Sequence, residues 1–127
     1  MVTGTRKGGI AAHLKIRGHE MIADEGSALG GGDAGPNPHE MIEAALTACT
    51  IMTLQLYADR KQWPLESADV SVLIEKEDSK ETLILREIVL RGELSEEQKA
   101  RLLEIANKCP IHRLLTGSVH IETKLQS

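Results

Sequence analysis

The stretch from Asn37 to Trp63 constrains the fold more than any other part of the chain. Asn37 suits an N-cap and Pro38 the first helical position, and Glu40 follows the cap at capping-box spacing. From Met41 to Ala58 the residues are apolar or small almost all round, interrupted only by Glu43, Gln55 and threonines. Arg60 and Lys61 place cations at the helix C-terminus, and Pro64 disfavours helical geometry at Trp63. Such a helix is expected to be covered by protein on both sides and to hold Cys49, near its middle, deep in a rigid element. Glu43 and Gln55 lie inside an apolar span that would barely cross a bilayer, so a core helix is expected and no membrane.

Around this helix the pattern is that of strands and a second helix. Ile10, Ala12, Leu14 and Ile16 alternate with more exposed neighbours, and Arg17-Gly18 turns the chain into a hairpin with His19–Asp24. Glu25–Gly35, with Gly26, Gly30-Gly31-Gly32 and Gly35, reads as a surface loop and lacks the spacing of a phosphate-binding loop. Val70, Val72 and Ile74 alternate as a strand, Asp78-Ser79 turns, and Thr82–Arg91 returns as a second strand. Its alternation lapses around Arg86-Glu87, which predicts a bulge or register change there. Ser95 and Gln98 repeat the capping-box spacing, and Leu102, Leu103, Ala106 and Cys109 form an apolar stripe that turns the second cysteine toward the core. Pro110 interrupts this helix, a short turn runs to Gly117, and Val119, Ile121, Thr123 and Leu125 alternate as a last strand. The expected fold is a single α+β domain over residues 1–127 with mainly antiparallel pairing.

With one Trp, one Tyr and no Phe, the core must be aliphatic. The net charge of −4 is interspersed, and no basic block or aromatic-basic pattern points to nucleic acid. Arg6-Lys7 is followed by no long apolar segment, so no secretory signal is expected and a cytoplasmic location is the default. Cys49 and Cys109 do not form a C-x-x-C pair, which leaves redox chemistry, burial and metal binding open. Cys109 and His112 have C-x-x-H spacing that Cys49 or His39 could extend, but no second close pair completes a zinc site, so no metal is expected. Ile42, Ala45, Leu46, Met52 and Leu56 near Cys49 suit either an apolar substrate pocket or plain core.

The segments GPNPHEMIEAALTACTIMTLQLYADRKQWPLE and LSEEQKARLLEIANKCPIHRLLTGSVHIETKL together resemble the OsmC/Ohr family of thiol-dependent peroxidases, in its OsmC-like branch. The helix start with Pro and Glu, the mid-helix Ala-Cys and the late Cys-Pro carry the resemblance. It implies an OsmC-like two-layer α+β fold with a buried central helix, built as an intertwined homodimer. It also implies reduction of organic hydroperoxides without a cofactor, with Cys49 peroxidatic, Cys109 resolving and an external dithiol as reductant. The chemistry suits a cysteine pair, because a sulfenic acid must be trapped by a second thiol before further oxidation.

A thiol among apolar side chains needs a nearby cation to ionise, and the resemblance implies an arginine from the N-terminal region. Arg17 matches best, with Arg6 in reserve. The resemblance also implies a glutamate at the start of the central helix. Here His39 takes the usual place ten residues before the cysteine and Glu40 falls one residue later, so Glu40 is either the partner of the arginine or a helix cap. Two functional readings follow: a thiol peroxidase, or a non-catalytic OsmC-like binding module or thiol sensor.

Overall fold

The computed structural model describes residues 1–126. Its elements are β1 (Val2–Gly8), β2 (Ala11–Ile16), β3 (His19–Ala23), α1 (Pro38–Lys61), β4 (Ser67–Glu77), β5 (Thr82–Arg91), α2 (Glu96–Ala106) and α3 (Pro110–Thr116). They fall into two units, residues 1–44 and Ala45 onward, with α1 beginning in the first and continuing in the second.

In the first unit β1, β2 and β3 form an antiparallel meander in chain order. The expected hairpin of β2 and β3 is present, with Ile16 opposite His19 and Arg17-Gly18 between them. Strand β1 was not expected, because VTGTRKG has no apolar alternation and all seven residues are exposed. Backbone pairing with β2, rather than burial, makes it a strand. The two turns differ at their first central residue: Gly9 (φ 56°) supplies the left-handed conformation in one, and Arg17 (φ 56°) adopts it in the other.

One carboxylate gathers the glycine-rich loop, beside backbone bonds such as Gly31 N–H to Gly26 C=O and Asp33 N–H to Glu25 C=O. Asp24 is buried; its Oδ1 accepts the Glu25 N–H (2.8 Å), and its Oδ2 accepts those of Gly32 and Ala34 (both 3.1 Å). The Glu25, Ala34 and Gly32 amides outweigh desolvation and hold the Asp24 carboxyl below the ordinary carboxylate range. Gly31 passes so close to the Glu25 carbonyl that a β-carbon would collide with it, which is why the loop needs glycine there. The loop delivers the chain to α1 through the expected reciprocal cap. Asn37 Oδ1 accepts the Glu40 N–H (2.8 Å), and Glu40 Oε1 accepts the Asn37 N–H (2.9 Å).

In the second unit α1 ends in a Schellman motif, with Trp63 N–H donating to Ala58 C=O and Gln62 N–H to Asp59 C=O. Gln62 takes the left-handed position usually given to glycine (φ 59°). The core joins Leu54 and Ala58 of α1 with Ala68 of β4 and Leu102, Ile105 and Ala106 of α2, with Val70, Ile88 and Leu90 packed against it. Helix α2 has the expected box, Ser95 Oγ accepting from Gln98 N–H and Gln98 Oε1 from Ser95 N–H.

Three expectations need correction here. The α1 helix is covered along one stripe only, Leu46, Thr50, Leu54 and Ala58 at four-residue spacing, while Ile42, Ile51, Met52 and Leu56 stay exposed. The core therefore takes one face of a helix that is apolar on several. By length and composition α1 would also pass as a membrane span, yet its stripe is built into this core. Strand β5 has no irregularity at Arg86-Glu87; the register shift lies in β4, between Ile74 and Lys76. Alternation continues unbroken, with Ile84, Arg86, Ile88 and Leu90 on the more covered face, so the apparent lapse was an inward-facing arginine. The strand expected over Val119–Leu125 is absent: residues 118–126 have no regular secondary structure and are exposed. Alternation gives such a segment two unlike faces, but a strand also needs an edge to pair with.

Candidate functional site

Arg86 gathers three elements of the second unit. Its Nη1 donates to Thr50 Oγ1 on α1 (3.1 Å), and Nη2 reaches Asn107 Oδ1 at the end of α2 and His112 Nδ1 on α3 (both 3.0 Å). Thr50 is fully buried and accepts this bond while its own hydroxyl donates to Leu46 C=O (2.7 Å), the usual outlet for a helical threonine. A guanidinium has no acceptor, so His112 Nδ1 is unprotonated and its ring proton lies on Nε2. Burial, and then the charge of Arg86, hold His112 below the ordinary imidazole range, keeping it neutral at neutral pH. The three hydrogen-bond partners Thr50, Asn107 and His112 of Arg86 are uncharged. Beside this cluster opens a cavity of about 420 Å³ whose apolar walls are Leu46, Leu83, Ile84 and Leu115, with Arg86 and His112 also lining it.

Cys109 adjoins the cluster. It is fully buried and caps α3, its Sγ accepting the His112 N–H at 3.4 Å, and Pro110, expected only to interrupt the preceding helix, takes the first helical position of this one. The C-x-x-H spacing thus makes a cap, while the imidazole Nδ1 turns to Arg86. Among the described residues no group of three or more His, Cys, Asp or Glu side chains is gathered as a metal site.

Cys49 lies on the flank of α1 next to the buried stripe and is half-buried rather than deep, its Sγ 3.8 Å from Thr53 Oγ1. The single covered stripe runs through its neighbour Thr50, and one helical step turns Cys49 about 100° from it. Both thiols are free and do not stand at disulfide distance. In the first unit Arg17 is exposed at its turn, Arg6 is exposed in β1, and Glu40 closes the helix cap. His39, the residue before Glu40, is exposed in the first turn of α1.

Sequence reasoning did not find Arg86, Asn107, Thr50 or the role of His112. The available signal was a charged residue at an even position of β5, in register with Ile84, Ile88 and Leu90.

Comparison with known proteins bears on both fold and family. No curated protein matches. An OsmC-like protein of Mycoplasma pneumoniae superposes with a TM-score of 0.77 at 16% identity, covering 92% of this chain and 86% of that one. An organic hydroperoxide resistance protein OsmC from Legionella pneumophila gives 0.68 at 16% identity over 92% and 88% of the two chains. One from Elizabethkingia anophelis gives 0.67 at 23% identity over 92% and 89%. At these identities the likeness establishes the α+β fold with antiparallel sheets. The family model for OsmC-like protein matches residues 30–124, most of the chain from the glycine-rich loop to the C-terminal segment, and this chain belongs to that family.

Proposed function

We propose that the chain is a thiol peroxidase that reduces organic hydroperoxides with Cys49 as the attacking thiol and Cys109 as the resolving one. The observation that carries this reading is the contrast between the two thiols in an OsmC-like chain. Cys49 is half-open on the flank of a rigid helix, whereas Cys109 is fully buried at a helix cap. The Cys49 thiolate attacks the peroxide oxygen, the O–O bond breaks, and the alcohol leaves with a proton while sulfur becomes a sulfenic acid. The Cys109 thiol then displaces water from that sulfenic acid to form a disulfide, and an external dithiol restores both thiols by exchange. Because the thiols do not stand at disulfide distance, local movement precedes closure, and uncapping α3 releases the Cys109 thiol for it. Arg17 supplies the cation for the thiolate, and Glu40 is its candidate carboxylate partner. The working form is a homodimer in the cytoplasm. The open face of α1, with Ile51, Met52 and Leu56 exposed, supports a second copy.

Limited organic hydroperoxide followed by mass-spectrometric thiol counting tests this reading. Wild type is expected to lose both thiols to one disulfide per peroxide, Cys109→Ser to stop at a sulfenic acid on Cys49, and Cys49→Ser not to react. A wild type whose thiols stay reduced beside a reactive control peroxidase overturns it.

A second reading, a non-catalytic module or thiol sensor, is favoured by Glu40. Both its backbone-facing bonds serve the helix cap, as a structural residue's would. Oxidation that proceeds without turnover in the presence of dithiols would select this reading.

A further inference from the structure

Arg86 places a positive charge at the edge of an apolar cavity, held there by hydrogen bonds to three neutral groups in a partly desolvated place. Three guanidinium hydrogens are engaged by Thr50, Asn107 and His112, which fix the group's orientation; two of its five remain available. Neutral His112 adds no second charge, and none of the cavity's lining residues is acidic. The walls beyond the cation are Leu46, Leu83, Ile84 and Leu115, and the volume of about 420 Å³ lies in the range of small-ligand pockets.

We propose that this cavity binds a linear-chain monocarboxylate, with its carboxylate on Arg86 and its alkyl chain along the leucine and isoleucine walls. One fixed cation with two donors to spare matches the charge of one carboxylate, met through single N–H···O bonds because both Nη2 hydrogens are already engaged. A phosphate would bring more charge than a single arginine offsets, and its bulk has nothing to gain from apolar walls. A neutral alkane or alcohol would leave the cation as it is. The site is made wholly within the second unit and uses neither thiol, so it stands or falls separately from the peroxidase chemistry.

The test is calorimetric titration of the reduced protein, in its native assembly, with the sodium salts of butanoate, hexanoate and octanoate, and with hexanol as the uncharged control. The His112 ring signals are followed by NMR in parallel. Affinity is expected to rise roughly fourfold per added methylene until the cavity is full. Hexanol should bind at least tenfold more weakly than hexanoate, and the His112 signals should shift on saturation. Arg86→Gln should lose at least tenfold in hexanoate affinity, while Arg86→Lys, which keeps the charge, should lose less. Should Arg86→Gln fail to fold, Leu83→Trp, which fills the cavity from a part-exposed wall and keeps the cation, should lower octanoate affinity at least tenfold. Equal binding of hexanol and hexanoate, full binding by Arg86→Gln or Leu83→Trp, or no binding by the native assembly overturns the proposal.

Discussion

The two units of this protein are held by different physics. In the second, Leu54, Leu102 and Ala58 are fully buried and the order of the elements follows from apolar contact among α1, α2 and the β4–β5 hairpin. In the first, all of β1 is exposed, and the loop into α1 is held by hydrogen bonds, three of its backbone amides converging on the Asp24 carboxylate. Apolar burial is non-directional and tolerates adjustment, whereas an array of hydrogen bonds to one carboxylate either has its acceptors or lacks them. A core substitution should therefore act on global stability, and a loop substitution on local order.

The largest effect belongs to the core. Leu102→Ala is expected to lower stability by about 2–5 kcal/mol, because it removes a fully buried side chain that its neighbours only partly collapse to replace. Urea unfolding followed by circular dichroism reads this directly. Asp24→Asn should act elsewhere: faster amide exchange at Gly32 and Ala34 and faster proteolysis within 25–35, with a global loss well below that of Leu102→Ala. Equal global losses from the two variants would erase the distinction between the units. The caps sharpen it further, since Asn37 and Ser95 make the same reciprocal motif, one in each unit. Each mutation to Ala is expected to cost about 1 kcal/mol, and a clearly smaller cost at Asn37 would show that the first unit melts before the second.

The smallest effects are in pH dependence, and they separate the units by range. His112 titrates below its ordinary value in the folded chain, so the unfolded state binds more protons between the two values. Its contribution is complete above the ordinary imidazole range and is lost as pH falls through the folded value. Asp24 behaves likewise at lower pH, with its contribution present above the ordinary carboxylate range and lost as pH falls through its depressed value. Unfolding midpoints measured from pH 8 downward should show a first loss that His112→Gln removes and a second, more acidic one that Asp24→Asn removes.

Much of this architecture was legible in the sequence because local chemistry dictates it. The caps at Asn37 and Ser95, the turn at Asp78 and the bounds of β5 follow from residues that satisfy backbone groups close by. What was not legible depends on partners distant in sequence. Strand β1 exists because β2 offers an edge, and Val119–Leu125 has the alternation of a strand without the pairing. Cys49 was expected deep because its helix is apolar all round, yet which stripe is covered is decided by the placement of α2 and the hairpin. Arg86 was visible as a break in a pattern, but its partners Thr50, Asn107 and His112 come from three other segments that no spacing rule connects. The roles proposed for the two cysteines have a different origin, since the resemblance carried them and geometry alone left them open.

The turn at Arg17 puts the proposed cation in a backbone conformation that suits another residue better. Its sister turn seats Gly9 at the same φ of 56°, where a glycine is at ease, while Arg17 holds that angle against its own β-carbon with a glycine only one residue away. A left-handed residue with a side chain costs about 1 kcal/mol, so a chain shaped for the hairpin alone would have exchanged the two. With Arg17 as the proposed cation, Arg17→Gly is expected to have two signs: it relaxes the hairpin and slows thiol oxidation. A protein made firmer by that change and slower to oxidise would mark position 17 as one where selection kept a function at the expense of the fold.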